Sequence, residues 1–161
     1  LDAFAVLYMM ERNGWTVADL RPQLAQTGGL AGLSGIAGGD VRDLEKAAAE
    51  GHQDAALALD VFTYQVRKTI GAFAAAMGGL DAIAFPGGIG ENSPRLRAAS
   101  CAGLEFLGVK LDAARNEAGA GDRIVSAADS KVGVVALATN EELVVARRAY
   151  GRLASSNCSL R

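Results

Sequence analysis

The fold is decided most clearly by the stretch Ala82–Arg97, which reads AIAFPGGIGENSPRLR. Its first four residues form a short apolar run between Asp81 and Pro86, which favours a buried β-strand. Glycines follow at 87, 88 and 90, and Ser93-Pro94 supplies an N-cap and a first-turn proline for a helix through about Leu107. The stretch therefore predicts a strand, a glycine turn and a capped helix in succession.

The segments on either side of this stretch extend the pattern. An apolar stripe with steps of three and four predicts a long amphipathic helix, and its members are Leu59, Phe62, Val66, Ile70, Phe73 and Met77. Val132–Leu137 predicts a second buried strand, Ile124-Val125 a short extra strand, and Thr139 the start of a last helix. Helices alternating with apolar strands predict an α/β fold with a covered sheet.

Composition limits the classes of function. The 161 residues are about one domain's length, half of them are apolar and 21% are charged, so the chain can bury a core. The net charge of −2 provides no basic field for nucleic acid or an anionic membrane. Without a long apolar run, a basic-then-apolar leader or a CxxC pair, the sequence predicts a cytoplasmic protein with reduced thiols. Because residue 1 is Leu rather than Met, we expect the chain to be part of a longer protein.

The glycine turn is the first candidate binding site. Backbone N–H groups at such a turn, with a helix start behind them, favour an anion or a nucleotide at the carboxyl end of the strand. The pattern is not a dinucleotide fingerprint, because Ser93 stands where the third glycine is required, and it lacks the Lys-Ser/Thr pair of a P-loop. The alternative is a turn that binds nothing. Arg95 and Arg97 are predicted to be solvated, and Cys101 to lie in the core.

The second candidate lies in Gly32–Glu45, which reads GLSGIAGGDVRDLE. A flexible glycine loop would deliver Asp40 and Arg42 to the start of a helix that runs to about Glu50. A guanidinium can stack on a base or bind a phosphate, and a carboxylate can accept from a ribose hydroxyl. The structural alternative is that Asp40 is an N-cap and Arg42 is solvated.

The third candidate is Thr139–Leu143, which reads TNEEL directly after the second strand. Thr139 and Glu142 have the spacing of a capping box, so Glu142 has a structural role. Glu141 is then left to hold Mg²⁺, which prefers oxygen ligands. The alternative is a surface acid that stabilises the helix start.

Taken in order, five segments resemble the C-terminal half of the acetate kinase family, the short-chain carboxylate kinases. The segments are GLSGIAGGDVRDLE, LALDVFTYQVRKTIGAFAAAMGGLDAIAF, PGGIGENSPRLR, CAGLEFLGVKLD and TNEELVVARR. The resemblance runs from Gly29 to about Leu153 and implies an actin-like, sugar-kinase-like ATPase domain of the ribonuclease H-like class. It implies a C-terminal nucleotide-binding domain over residues 1–154, followed by a flexible tail at 155–161.

The resemblance also implies a site. The nucleotide, ATP or ADP, would contact Asp40, Val41 and Arg42 on one side and Gly88, Ile89, Gly90, Glu91 and Asn92 on the other. Glu141 would match the family's magnesium-associated glutamate, with Mn²⁺ as a substitute ion. The implied reaction is phosphoryl transfer between ATP and acetate in a homodimer. The family commonly has Thr where Pro86 stands, a departure that stiffens the exit of the strand.

The catalytic groups and carboxylate pocket of the family belong to a region upstream of the matched segments. Nothing in this chain matches them, so we expect no catalytic residue here and no activity of the chain alone. Two other classes of function stay open at this stage. They are a stand-alone nucleotide-binding module and a self-association module, both without catalysis.

Overall fold

The computed structural model describes residues 2–139, 143, 145–150 and 152. The chain divides into two compact units, Leu1–Ala75 and Ala76–Arg161. Among the described residues, no helix is both long enough and apolar enough to cross a bilayer.

The first unit is helical. Its helices are α1 (Ala3–Asn13), α2 (Val17–Ala25), α3 (Gly29–Ser34), α4 (Val41–Ala49) and α5 (Gln53–Met77). Local signals start several of them: the Asp2 side chain caps α1, and Thr16 forms a capping box with Asp19 at α2. The predicted helix after Asp40 is confirmed as α4, whose first turn the Asp40 side chain caps.

The predicted flexible loop of the glycine cluster is wrong in part, because residues 29–34 form the short helix α3. Gly39, beyond α3, shows why small residues gather here. Its φ is +60°, and a Cβ at this position would lie 2.7 Å from the backbone nitrogen of Ala31. The segment therefore folds back closely on α3 before it enters α4, and the glycines make this approach possible.

The predicted apolar stripe of α5 is buried only at its beginning. Leu59 is 3% exposed, whereas Phe73 is 62% and Met77 65% exposed. Besides Leu59, the buried residues of α5 are small ones outside the stripe, namely Ala55, Ala58, Thr63 and Ala74. Apolar periodicity predicted the helix correctly, but it did not predict which of the helix's side chains are buried.

The second unit contains a three-stranded sheet in the order β1-β3-β2. The strands are β1 (Ala82–Pro86), β2 (Arg123–Ile124) and β3 (Gly133–Leu137). All three predicted strands are thus confirmed, with β1 parallel to β3 and β2 antiparallel to it. The expected cover on both faces is absent at β1, since Ile83 and Phe85 are buried while the alternate residues are exposed.

The helices of the second unit include α6 (Gly87–Asn92), α7 (Pro94–Cys101) and α8 (Ala113–Glu117). After β3, the described residues 143, 145–150 and 152 are also helical. The predicted capped helix starts as expected, with Ser93 accepting from the Leu96 N–H and Pro94 in the first turn. It ends at Cys101, however, and not near Leu107. The reason is a turn at Gly103, whose φ is +81°, followed by a 3₁₀ turn at Glu105–Leu107.

Candidate functional site

The site of the second unit lies where β1 and β3 end side by side. Pro86 is paired with Leu137 at the last position of the parallel ladder. The chain then turns at Gly87, whose φ is +77°, and a Cβ there would lie 4.0 Å from the Thr139 hydroxyl oxygen. The structure therefore brings the start of the glycine segment next to the first residue of the TNEEL segment, as expected for strand ends that share one edge.

The glycine turn itself is the six-residue helix α6 rather than an irregular turn. Its inner side packs tightly on β1, because a Cβ on Gly90 would lie 2.6 Å from the carbonyl carbon of Phe85. Its outer side is open: apart from the helix's own backbone, no atom of the described residues lies within 4 Å of the Cβ position of Gly88, and Ile89 is 42% exposed. The Asn92 side chain donates to the Gly88 carbonyl at 2.9 Å. Exposed backbone and an exposed apolar side chain thus form the outer side.

Glu91 has a structural role that the sequence did not indicate. Its Oε1 accepts from the Gly121 N–H at 3.2 Å, and its backbone carbonyl accepts from Arg123 Nη2 at 2.8 Å. The side chain is half-buried. These bonds connect the end of α6 to Gly121 and to the first residue of β2, so Glu91 orients the turn whether or not it also contacts a ligand.

The prediction that Arg97 is solvated is wrong. Its relative exposure is 0%, and it is the largest of the fully buried side chains among the described residues. The guanidinium donates to the carbonyl oxygens of Gly90 and Glu91 and to Asn116. Burial, together with the nearby Arg123, lowers the pKa of Arg97.

The spacing of residues within α7 could have predicted that Arg97 is buried. The buried residues of this helix are Leu96, Arg97, Ser100 and Cys101. Arg97 precedes Cys101 by four positions, so the two lie on one helix face. Since Cys101 is correctly predicted in the core at 4% exposure, the same periodicity would have assigned Arg97 to the buried face.

The first unit carries the second group of predicted site residues. The Asp40 carboxylate accepts from the Arg42 backbone N–H at 2.9 Å and from Arg42 Nε and Nη2 at 3.1 and 2.9 Å. The hydrogen bond from the Arg42 side chain, and then that from its backbone, lower the pKa of Asp40 to about 2. The Arg42 side chain is 85% exposed. Val41, between them in the sequence, is buried at 4% exposure.

The predicted metal ligand Glu141 lies outside the described residues, as do its neighbours Asn140 and Glu142 and the tail at 155–161. The part of the chain that is described contains no group of three or more His, Cys, Asp or Glu side chains able to hold a metal ion. The described chain that precedes this segment is held by one side-chain hydrogen bond. The N–H of Ala138, one residue after β3, donates to Asp122 Oδ1 at 2.9 Å.

Comparison with known proteins identifies the family. The model of the acetokinase family matches residues 1–147. The chain belongs to the acetokinase family. A curated acetate kinase of Heliobacterium modesticaldum is 45% identical over 150 residues, which are 93% of this chain and 37% of that protein. The chain thus spans little more than a third of the length of such family members.

Solved structures of the family share the fold. Acetate kinase of Porphyromonas gingivalis superimposes with a TM-score of 0.84 at 34% identity, covering 95% of this chain and 38% of that one. A propionate kinase of Francisella tularensis gives 0.78 at 31% identity, covering 89% and 36%. The predicted fold class, an α/β domain of the actin-like ATPase type, is confirmed.

Proposed function

We propose that this chain is the nucleotide-binding part of an acetate kinase, a cytoplasmic enzyme that converts ATP and acetate to ADP and acetyl phosphate with Mg²⁺. The observation that carries the proposal is the meeting of the two strand ends, where Gly87 lies beside Thr139. This contact supports a binding site at one edge of the sheet that the glycine segment and Thr139 would share. The names of the relatives supply the reaction class, with propionate as the second acceptor to test.

Within the second unit, the nucleotide would lie along the outer side of α6. Gly88 leaves room for close backbone approach, and Ile89 presents an exposed apolar surface suited to the face of a purine ring. Gly90, Glu91 and Asn92 would hold this surface in place. Their described hydrogen bonds are made within α6 or to residues on its inner side. The site therefore combines an open outer side with an internally bonded support.

Within the first unit, Asp40, Val41 and Arg42 are the residues that we propose for contact with a nucleotide. The exposed guanidinium of Arg42 is held in plane against the Asp40 carboxylate through both Nε and Nη2. A planar, oriented guanidinium can stack on a base while its charge attracts phosphates. Asp40 would therefore act mainly by orienting Arg42.

Glu141 is the residue that we propose for Mg²⁺, with Mn²⁺ as a substitute. One protein carboxylate, completed by phosphate oxygens and water, is a typical donor set for Mg²⁺ at a nucleotide. When bound, the ion would neutralise negative charge on the phosphate oxygens. The capping pair Thr139 and Glu142 would orient the helix start that carries Glu141.

The carboxylate pocket and the groups that stabilise the transferred phosphoryl are proposed to belong to the rest of the family's length, of which this chain covers 37% in the Heliobacterium relative. Positioning and charge around the transferred group supply most of the catalysis of phosphoryl transfer. The chain alone should therefore bind nucleotide without turnover.

We propose in addition that the chain associates as a homodimer. Large apolar side chains are exposed on its helices, including Phe4 at 80%, Tyr8 at 60% and Phe73 at 62%. Exposed apolar surface of this kind favours association with another surface. A self-association module without catalysis would show the same feature, so activity is the measurement that separates the two functions.

The test is a chimera in which this chain replaces the matching third of the Heliobacterium relative. Acetyl hydroxamate is measured with ATP, Mg²⁺, hydroxylamine and acetate or propionate. We expect activity in the chimera, and a loss of roughly 100-fold or more in Glu141→Gln, because charge stabilisation at the phosphates is lost. The matched control is Glu142→Gln, which removes the same charge one position away.

Two results would contradict the proposal. A folded chimera that binds Mg-ADP but forms no hydroxamate would reject the kinase function. Equal losses in the Glu141 and Glu142 variants would reject the metal assignment, since they would show an effect on the helix start alone.

A further inference from the structure

We propose that Arg97 is the positioning residue of the nucleotide site, and that its buried guanidinium fixes α6 so that Gly88 and Ile89 face the nucleotide. The inference rests on the proposed nucleotide-binding function. Arg97 is fully buried at the base of the proposed site, so it would act on the nucleotide through α6 and not by direct contact.

The guanidinium bridges two elements. On one side, Nη1 donates to the Gly90 carbonyl at 2.7 Å and to the Glu91 carbonyl at 2.8 Å. On the other side, Nε donates to Asn116 Oδ1 at 2.8 Å, and Nη2 donates to the Asn116 carbonyl at 2.6 Å. The planar fork of arginine is what allows one side chain to join α6 to α8 in fixed geometry.

Asn116 is itself held in place. It is 3% exposed, and its backbone N–H donates to the Asp112 carbonyl at 2.8 Å. Its side-chain Nδ2 donates to the Pro94 carbonyl at 2.9 Å, in the first turn of the helix that carries Arg97. The hydrogen bonds therefore form a closed network through Arg97, Asn116 and Pro94. Two carbonyl oxygens of α6 accept hydrogen bonds from this network.

The helix α6 needs such support. It has six residues, no side-chain hydrogen bond caps its start, and three of its residues are glycines. Isolated helices of this length are unstable in water, and glycine weakens them further. Its last carbonyls lack partners within the helix, and two of them, those of Gly90 and Glu91, accept from Arg97.

Two kinds of contact therefore hold α6. The close packing of Gly90 on Phe85 holds the inner side against β1. Arg97 holds the carboxyl-terminal end, with a second contribution from Arg123 to the Glu91 carbonyl at 2.8 Å. The described contacts thus hold α6 from beneath and at its end. Its outer side is left free for a ligand, and the orientation of that side depends on these contacts.

The test compares the wild-type chain with Arg97→Lys and with the exposed neighbour variant Arg95→Lys. Lysine keeps the positive charge but replaces the fork by a single point donor. Backbone hydrogen exchange is followed by mass spectrometry over 82–101 and 123–137, and Mg-ADP affinity is measured by calorimetry. A second variant, Asn116→Ala, removes the partner of Nε and leaves Arg97 in place.

For Arg97→Lys we expect faster exchange at 88–93, unchanged exchange in β1 and β3, and Mg-ADP binding weaker by about tenfold, which corresponds to ~1.4 kcal/mol. Arg95→Lys should match the wild type in both measurements. Asn116→Ala should move both measurements in the direction of Arg97→Lys. It also provides the test if Arg97→Lys does not fold.

The outcomes separate the two proposals. If the wild type does not bind Mg-ADP, the proposed function fails and the positioning role fails with it. If the wild type binds and the folded variants bind equally well, only the positioning role is overturned. Faster exchange spread over β1 and β3 with an unchanged dissociation constant would show a general stabilising role, which also overturns it.

Discussion

Gly90→Ala should destabilise the second unit by a steric overlap that can be read from the structure. The added Cβ would lie 2.6, 2.9 and 3.1 Å from the carbonyl carbon, carbonyl oxygen and Cα of Phe85. Favourable carbon–carbon contacts are about 3.5–4.0 Å, so the overlap approaches an ångström. The contacted atoms are backbone atoms, and Phe85 is paired with Ala136 in the sheet. Strand β1 therefore cannot move away from the added Cβ without disturbing its pairing with β3.

The expected magnitude combines two terms of opposite sign. Overpacking of this kind costs about 1–3 kcal/mol or more, while alanine is favoured over glycine in a helix by about 1 kcal/mol. Because the overlap is with backbone, we expect the steric term to dominate and Gly90→Ala to lower the free energy of unfolding by about 1–2 kcal/mol. A domain of ~60–100 residues would lose roughly 4–8 °C in Tm for each kcal/mol.

Gly88→Ala is the matched control within the same helix. In the part of the chain that the structure describes, no atom outside the helix backbone lies within 4 Å of its Cβ position. The helix preference therefore acts alone, and stability should be unchanged or slightly raised. Backbone hydrogen exchange in β1 and β3 measures it directly. Equal exchange rates in the two variants would refute the steric argument for Gly90.

Two further predictions concern surface charges. The Asp40 carboxyl should titrate by NMR with a pKa of about 2 and return toward its ordinary value in Arg42→Gln, because Arg42 lowers that pKa. The stabilising contribution of the Asp40 carboxylate is therefore present above the unfolded pKa of ~3.9 and is lost as the pH falls toward 2. An unchanged titration of Asp40 in Arg42→Gln would contradict this. Lys110→Ala should leave Tm within error, since the Lys110–Asp129 pair is exposed at 55% and 69%; a large, salt-dependent drop in Tm would contradict the prediction.

The elements that the sequence predicted correctly are those with local causes. Asp40 caps α4 and Ser93 caps α7 through bonds to backbone groups only two or three residues away. The strands β1 and β3 are short apolar runs whose type follows from length and flanking residues. Such features need no knowledge of distant contacts, so the α/β class and the element order followed from them.

The features that were missed depend on partners far along the chain. Arg97 is buried because Asn116, nineteen positions later, accepts from its Nε. Glu91 is tied to Gly121, thirty positions later. Neither partner is indicated by local pattern, although the position of Arg97 on the face of Cys101 was available from helical spacing. The binding roles of Asp40–Arg42, Gly88–Asn92 and Glu141 stay predictions that derive from family resemblance.

The most direct test of the central claim, that this chain carries a nucleotide site, is a calorimetric titration of the chain with Mg-ADP. It is compared with the double variant Arg42→Ala, Glu91→Ala and with a control of equal charge change on α1, Glu11→Ala with Arg12→Ala. We predict saturable heat in the wild type and the control, and its loss in the site variant. No saturable heat in the wild type, or equal heat in all three proteins, would contradict the account.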